Sequence, residues 1–459
     1  MAPQGQKGRQ GREILAIDTP SPGLFSGSDP RRILANAPLS WRQIIAIVLC
    51  CLLNALDGFD VLSISFASPG IAKEWGITRA ALGIVLSMEI FGMAAGSVLL
   101  GQAADRIGRV PTTFFSLLVM FIGMVATPQA SSVGMLAGLR LFTGLGIGGM
   151  LAATNALTAE YANTRARNAA VALMAGGYPL GAVVGGTFAG QLLVHGSWRN
   201  VFYLGAGMAL VLLPLVPLLL PEPVGALMQR RPGNLLARVN RTLRAFGHAP
   251  VDTLPEPETA TRPSPWAVWG PGLWPVTLAL IVAYFMHILT FYFIVKWIPK
   301  IVVDMGFAPS AAAGVLVWTN VGGLIGAVLF SIASLRLPLR GSLMAAMLAS
   351  AVGVAVFGQS PADLHHMAIT AGIAAFFTNG VIVGFYALIA QSFPTALRGS
   401  GTGMVIGIGR AGAAAGPILA GYLFEAKLGL PMVAALMGLG SVAAAVTLMV
   451  MPRSEAHGH

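Results

Sequence analysis

The sequence predicts an all-α membrane protein with twelve transmembrane helices, arranged as two pseudo-symmetric six-helix bundles. Three observations support this prediction: the composition, a series of long apolar stretches, and residue matches between the two halves of the chain. Of the 459 residues, 56% are hydrophobic and 10% are charged, and the mean hydropathy is +0.76. A soluble domain carries about 25% charged residues, so this chain has too little polar surface to cover a soluble particle.

The chain divides into five predicted segments. Residues 1–40 are polar, rich in Gly and Pro and without an apolar signal-peptide core, so we expect a disordered cytoplasmic tail. Residues 41–220 and 273–452 are the predicted bundles, 221–272 a polar cytoplasmic linker and 453–459 a cytoplasmic tail. Each bundle has six apolar stretches near the length of about 20 residues that crosses a bilayer. The twelve predicted helices lie near 43–68, 80–101, 110–128, 133–157, 167–193, 200–220, 274–298, 309–333, 341–358, 366–390, 399–424 and 431–451.

Lysine and arginine are distributed unevenly between the two ends of the predicted bundle. Of 28 such residues, 20 fall in segments on the side of the termini, five in loops on the other side and three within helices. Cytoplasmic loops of membrane proteins carry such an excess, so we expect a multi-pass membrane protein with both termini in the cytoplasm. The net charge of +11 then reflects topology, and the expected partner is a lipid bilayer and not a nucleic acid.

The two predicted bundles repeat one another in sequence. With an offset of 231 residues, Arg167 and four glycines of helix 5 fall on Arg398 and four glycines of helix 11. With an offset of 230, Gly96 falls on Gly326. Two like-oriented halves place a substrate site near the middle of the membrane, between them.

The sequence contains no motif for catalysis, cofactor binding or metal binding. Cys50 and Cys51 are adjacent in an apolar stretch, which gives neither a disulfide framework nor a metal-ligand spacing. No Gly-x-x-x-x-Gly-Lys-Ser/Thr phosphate loop is present, which argues against an ATP-driven pump. We therefore expect a protein that is not an enzyme and that binds no cofactor or metal.

A short loop between helices 2 and 3 has the sequence Gly101-Gln-Ala-Ala-Asp105-Arg106-Ile-Gly108-Arg109. It resembles the signature of the major facilitator superfamily, Gly-x-x-x-Asp-Arg-x-Gly-Arg. A carboxylate at a helix end can pair with a neighbouring helix in one conformer and release it in the other, so we expect a conformational gate; the alternative is a plain loop anchor. The second-half copy has Leu335 in place of Asp105. Further gate candidates, which resemble charge-relay positions of the superfamily, are Glu160, Arg165 and Arg398.

Two aspartates in helix 1, Asp57 and Asp60, supply the most specific signal. Each costs about 2.5 to 3.5 kcal/mol to insert into a bilayer, and their spacing of three places both on one face. Carboxylates this close in a low dielectric favour a proton bound to one of them; the alternative is that both pair with Arg140. The element Asp57-Gly-Phe-Asp60, followed by Ser-Phe-Ala-Ser-Pro-Gly, resembles the aromatic acid:proton symporter family, and the resemblance spans about 41–452.

Other residues within the predicted helices are candidates for the site. Arg410, flanked by glycines, suits a substrate carboxylate; the alternative is a structural pair with an aspartate. In the empty carrier, we expect Glu89 or a helix 1 aspartate to neutralise Arg410. Glu89 is also a candidate second proton site. His287 is a candidate to line the cavity, and the alternative is a hydrogen-bonded packing residue. We expect Lys296 to snorkel at the outer end of helix 7. The remaining candidates for substrate contact are Arg140, Tyr284, Phe291 and Tyr386.

These residues and resemblances imply a proton-coupled secondary transporter of a bacterial inner membrane. It would import an aromatic carboxylate, of the benzoate or hydroxybenzoate kind, by alternating access of the two halves. The alternative is a proton-coupled exporter of drugs or other organic compounds on the same fold. The acids of helix 1 and Arg410 favour uptake of an organic anion, and we expect a monomer.

Overall fold

The computed structural model describes residues 29–255, 264–394 and 396–452. Within these ranges, twelve helices are long and apolar enough to cross a membrane. They are α1 (Trp41–Trp75), α2 (Arg79–Ile107), α3 (Arg109–Gln129), α4 (Val133–Tyr161), α5 (Arg167–His195), α6 (Arg199–Leu219), α7 (Trp274–Asp304), α8 (Pro309–Ala333), α9 (Leu339–Gly358), α10 (Leu364–Ser392), α11 (Arg398–Glu425) and α12 (Leu430–Val450). The predicted all-α fold with twelve spans is confirmed.

Capping residues set several of these boundaries. Ser40 and Gln43 form a capping box at the start of α1, and the side chains of Thr78, Ser132 and Asp363 cap α2, α4 and α10. Such caps satisfy the free N–H groups of a first helical turn.

The largest boundary difference is in α1, which runs seven residues past its predicted end at 68 and through Pro69. Proline at this position leaves the carbonyl of Ser65 without its helical partner. The hydroxyl of Ser68 donates to that carbonyl at 2.9 Å. Because the freed group is satisfied locally, the helix continues to Gly76, whose φ of +60° ends it.

The two halves repeat one another in packing as well as in sequence. In the first half, Gly92 and Gly96 of α2 lie against the backbone of α4 at Leu141 and Leu145. In the second half, Gly322 and Gly326 of α8 lie against the backbone of α10 at Gly372 and Phe376. The same pair of helices in each half therefore packs closely through glycines at the same spacing, as small residues allow in membranes.

The halves touch at one end of the bundle and separate at the other. We call the end where α1 begins and α12 finishes the terminal end, and the opposite one the far end. Toward the far end, α2 packs on α11, α5 on α8 and α1 on α7. Among the described residues, every hydrogen bond between the halves lies from mid-membrane toward the far end. The part of α11 that packs on α2 is Ala411–Glu425, toward the far end. Because no hydrogen bond between described residues joins the halves at the terminal end, we interpret the structure as open there.

The segments outside the helices contain more structure than their composition predicts. Part of the predicted tail forms a helix, Pro30–Asn36, which is capped by Asp29. The predicted linker contains helices Val224–Arg230 and Leu235–Ala245, whose apolar residues pack with Leu34 on the first half. The prediction of a disordered tail is wrong for these residues, because an Asp-Pro helix start and one buried leucine suffice to order them. Residues 1–28, 256–263 and 453–459 lie outside the described residues.

Candidate substrate and proton site

Four charged side chains from both halves meet in the membrane interior, and we call them the ion cluster. They are Asp60 of α1, Glu89 of α2, Arg140 of α4 and Lys296 of α7, and all four side chains are fully buried. Nη2 of Arg140 donates to Oδ1 of Asp60 at 2.9 Å and to Oε1 of Glu89. Nζ of Lys296 lies 3.5 Å from Oε2 of Glu89 and donates to the backbone carbonyl of Val61.

The local sequence explains why these helices come so close. Gly58 lies between the two helix 1 aspartates, and a Cβ there would collide with the carbonyl of Tyr178 in α5. The pair is reciprocal, because a Cβ at Gly181 would collide with the carbonyl of Ala55. On the other side of the cluster, the guanidinium of Arg140 lies 5.2 Å from the ring centroid of Phe202, a distance at which a cation and a ring attract.

The two helix 1 aspartates differ in their surroundings. Asp60 accepts the bond from Arg140, so for this residue the alternative interpretation, a structural ion pair, describes the contact. Asp57 is equally buried, yet neither of its carboxylate oxygens has a hydrogen-bond partner. An isolated carboxylate in the membrane interior is stable only when it binds a proton or gains a partner. Asp57 also lies one helical turn nearer the open terminal end than Asp60.

Lys296 is the clearest departure from the sequence-based expectation. We expected it to snorkel at the outer end of α7, but its side chain is fully buried and points to α1 and α2 of the other half. The carboxylate of Glu89 and the backbone carbonyl of Val61 stabilise the ammonium at this depth, so it has no need to reach the interface. Nothing local to helix 7 indicates this, because both partners belong to helices more than 200 residues earlier.

Arg410 occupies a separate position, at a break in α11 between Arg398–Gly409 and Ala411–Glu425. It is half-buried and makes no hydrogen bond or ion pair with any described residue through its side chain. The expectation that Glu89 or a helix 1 aspartate neutralises it is wrong for this structure, since Asp60 and Glu89 pair with Arg140 and Asp57 has no partner. Its electrostatic neighbours are the tyrosines Tyr178, Tyr284, Tyr292 and Tyr386.

The aromatic candidates lie in the second half, in the region around Arg410. Near Arg410, the ring of Tyr284 meets Phe385 edge-on at 5.5 Å and Tyr386 is 42% exposed. Phe291 reaches the same region through Tyr292, with which it packs edge-on at 5.2 Å. Sequence reasoning missed Tyr292, although it lies eight residues after Tyr284 on the same helix.

His287 does not line the cavity, and its contacts match the alternative interpretation, a hydrogen-bonded packing residue. It is buried between α7, α10 and α12, and its two ring nitrogens lie 3.0 Å from the hydroxyl of Ser441 and 3.0 Å from the carbonyl of Thr378. Both nitrogens are therefore occupied by partners within one half. A histidine satisfied in this way acts in packing.

The gate candidates at the terminal end are brought together only in part. Arg109 forms an ion pair with Glu160, and its backbone N–H donates to Glu222 at 2.6 Å. Gly108 has φ of +116°, and a Cβ there would meet the side chains of Glu222 and Arg230. Sequence reasoning missed Glu222, which caps the start of α3 from the linker. The candidates that are exposed or face open space here are Gly101, Asp105, Arg106, Arg165 and Arg398.

This arrangement defines a class of protein. Two repeated six-helix halves, closed at one end around buried charges and open at the other, are the architecture of secondary membrane transporters, and the relatives of this chain are named as transporters and not as enzymes. The sequence profile of the Major Facilitator Superfamily matches residues 50–357 and 280–459, so the chain belongs to that superfamily.

Relatives and solved structures agree with this assignment. The chain is 32% identical over 448 residues to the gallate transporter of Pseudomonas putida, covering 95% of this chain and 97% of that protein. It is 30% identical to the 3-(3-hydroxy-phenyl)propionate transporter of Escherichia coli K12, covering 90% and 94%. The crystal structure of a D-xylose-proton symporter shares the fold, with a TM-score of 0.71 at 17% identity over 91% of this chain and 100% of that one. The predicted resemblance to aromatic acid symporters is confirmed.

Proposed function

We propose that this chain imports an aromatic carboxylate together with protons, by alternating access of its two halves. The observation that supports this most is Arg410, a mid-membrane guanidinium with no acidic partner in the described residues and with four tyrosines around it. A planar guanidinium can form two parallel hydrogen bonds to a carboxylate. The relatives named above, which transport gallate and a hydroxyphenylpropionate, take ligands of this chemistry.

The aromatic ring of the substrate would pack beside the guanidinium. Tyr284, Phe291, Tyr292 and Tyr386 offer ring faces and edges, and aromatic pairs of this kind contribute about 0.5 to 1.5 kcal/mol beyond area burial. Tyr178 and Tyr292 lie within electrostatic range of both Arg410 and Glu89. They therefore connect the proposed carboxylate site with the ion cluster. Arg140 is occupied by two acids, so we assign it to the ion cluster and not to the substrate.

The proton would be carried by the buried carboxylates. Asp57 has no partner and lies nearest the open end, so it is the proposed group for exchange of protons with the cavity. Asp60 and Glu89 share Arg140, and protonation of either changes the charge of the cluster. With one proton for each monoanion, transport is electroneutral, and a gradient of one pH unit supplies about 1.4 kcal/mol.

We further propose an orientation, a gate and a functional unit. The excess of Lys and Arg supports a cytoplasmic location of the terminal end in a bacterial inner membrane; the described conformer is then inward-open. The exposed Asp105 would close this end by pairing with the neighbouring helix in the outward-open conformer. One chain is the proposed functional unit, since it contains both halves and every candidate residue.

Uptake into proteoliposomes tests this function. When the outside is more acidic than the inside, we expect labelled gallate to enter these vesicles faster than it enters protein-free vesicles. We expect hydroxyphenylpropionate to compete, and gallamide, which lacks the carboxylate, to fail. Transport of a lipophilic cation in exchange for protons, without uptake of any aromatic acid, would instead support a drug exporter on the same fold.

A further inference from the structure

We propose that Lys296 is an internal cation that competes with the transported proton for Glu89, and so expels the proton when the far end closes. This inference rests on the proposed function and adds to it a residue that no comparison assigns. It starts from the position of Lys296, which belongs to the second half while both of its partners belong to the first.

The charges of the ion cluster balance only when the halves are in contact. Asp60 and Glu89 carry two negative charges in their ionised forms and Arg140 carries one positive charge, which leaves one negative charge on the first half. Lys296 brings the sum to zero. Among the described residues, this is the only ion pair between the halves that is fully buried, since the Arg79–Asp304 pair at the far end is partly exposed.

Opening of the far end would withdraw this neutralising charge. Lys296 lies where α7 meets α1 and α2, on the closed side of the middle of the membrane. When the halves separate there, its ammonium leaves Glu89 and the first half retains an uncompensated negative charge in a low dielectric. Such a charge is costly, and binding of a proton from the outside removes it. The proton thus takes the place of Lys296.

Closure reverses this exchange. As the far end closes, the ammonium returns to Glu89, and a protonated carboxyl would leave the cluster with a surplus positive charge. The proton then leaves Glu89 for water in the open cavity, with Asp57 as the group next in line. Lys296 keeps its own protons throughout. The ionisable groups that face Glu89 are Asp60, Arg140, Tyr178, Tyr292 and Lys296, and of these only the α7 side chains move with the second half.

The test compares Lys296→Gln with Lys73→Gln, a control that removes an exposed lysine. Both are reconstituted and assayed for two activities with labelled gallate, after subtraction of protein-free vesicles. One is accumulation under a gradient of one pH unit. Coupling to one proton predicts a ratio of gallate inside to gallate outside of about ten. The other is exchange of labelled for unlabelled substrate without a gradient, which needs no net proton movement.

We expect Lys73→Gln to match wild type in both assays. For Lys296→Gln we expect the ratio of gallate inside to gallate outside to fall to about one, because the proton is no longer expelled. We expect exchange to be retained. Tenfold accumulation by Lys296→Gln would overturn the inference. A wild type that does not accumulate gallate would instead contradict the proposed function, so the two failures are distinguishable.

A second variant covers the case in which Lys296→Gln does not fold, because that change removes a buried charge that balances the ionised Glu89. Glu89→Gln/Lys296→Gln removes one charge of each sign and keeps the cluster neutral. We expect this double variant to elute as a single species in size-exclusion chromatography, to exchange substrate and not to accumulate it. Accumulation by the double variant would likewise overturn the inference, since both competing groups would be gone.

Discussion

Replacement of Arg410 is the perturbation that most directly tests the substrate site. Its side chain makes no hydrogen bond or ion pair with a described residue, so Arg410→Ala leaves no buried partner unpaired, and we expect stability to change by no more than about 0.5 kcal/mol. Binding should change much more. A hydrogen bond to a charged group contributes about 1.5 to 3 kcal/mol.

The half-buried position of Arg410 sets the expected magnitude, because solvent weakens its interaction with a carboxylate. We therefore take about 2 to 3 kcal/mol for the whole guanidinium, a loss of roughly 30- to 150-fold in affinity. Arg410→Lys keeps the charge and loses the two-pronged geometry, so we expect a loss of only about fivefold. Gallamide should bind equally weakly to all three proteins.

Isothermal titration of the purified proteins with gallate and gallamide measures these differences. Arg336→Ala is the matched control, because it removes an exposed arginine from the same half. If Arg410→Ala binds gallate as tightly as wild type does, the carboxylate is held elsewhere and the reasoning is refuted. A fall in gallamide affinity equal to that for gallate would show damage to the cavity, not loss of an anion contact.

Three further predictions concern the proton and the two ends of the bundle. Asp57→Asn should abolish pH-driven accumulation and retain substrate exchange, as measured in proteoliposomes, since an amide cannot carry the proton; normal accumulation would refute the role of Asp57. Asp105→Asn should lower the uptake rate without loss of folded protein in chromatography, and Leu335→Asn should lower the uptake rate much less. Equal losses of uptake rate would assign the motif to packing. The carboxylate of Glu425 accepts hydrogen bonds from the backbone N–H groups that begin α2, and Glu425→Gln should weaken them. Double electron–electron resonance between spin labels at 131 and 359, one on each half at the far end, should then report a longer distance. An unchanged distance would exclude this contact from closure.

The twelve spans could be predicted from the sequence because each is encoded locally. About 20 apolar residues in a row meet the thickness of a bilayer wherever they occur. The starts of α1 and α2, which Ser40 and Thr78 cap, lie close to the predicted starts. The repeat was also visible, since glycines that allow close packing recur at a fixed offset. At Pro69 and Pro299 a local signal misled, because both helices continue past the proline. At Pro69 the hydroxyl of Ser68 compensates for the missing hydrogen bond.

The pairing of the charges could not be predicted in the same way. Asp57, Asp60, Glu89, Arg140 and Lys296 were all conspicuous as charges within apolar helices. Which of them meet depends on how four helices from distant parts of the chain are packed, and spacing within one helix carries no information on that. The sequence consequently suggested two equivalent aspartates, whereas the structure separates a paired one from one without a partner.

Gate residues illustrate a second limit. The signature loop predicted Arg109 as a gate candidate and the resemblance to charge-relay positions predicted Glu160, but only the structure shows that the two form an ion pair. Glu222 was missed because it lies in a polar linker, where a carboxylate is unremarkable until the chain folds back onto α3. Arg165 and Arg398 are exposed in this conformer, and their proposed role belongs to the opposite one.

The central claim is that movement of an aromatic acid is tied to movement of protons. The most direct measurement is the steady accumulation of labelled gallate in proteoliposomes at a series of imposed pH gradients, corrected for protein-free vesicles. Coupling to one proton predicts about a tenfold increase in accumulation for each pH unit, and loss of that dependence in Asp57→Asn. Accumulation that does not vary with the gradient would contradict the account.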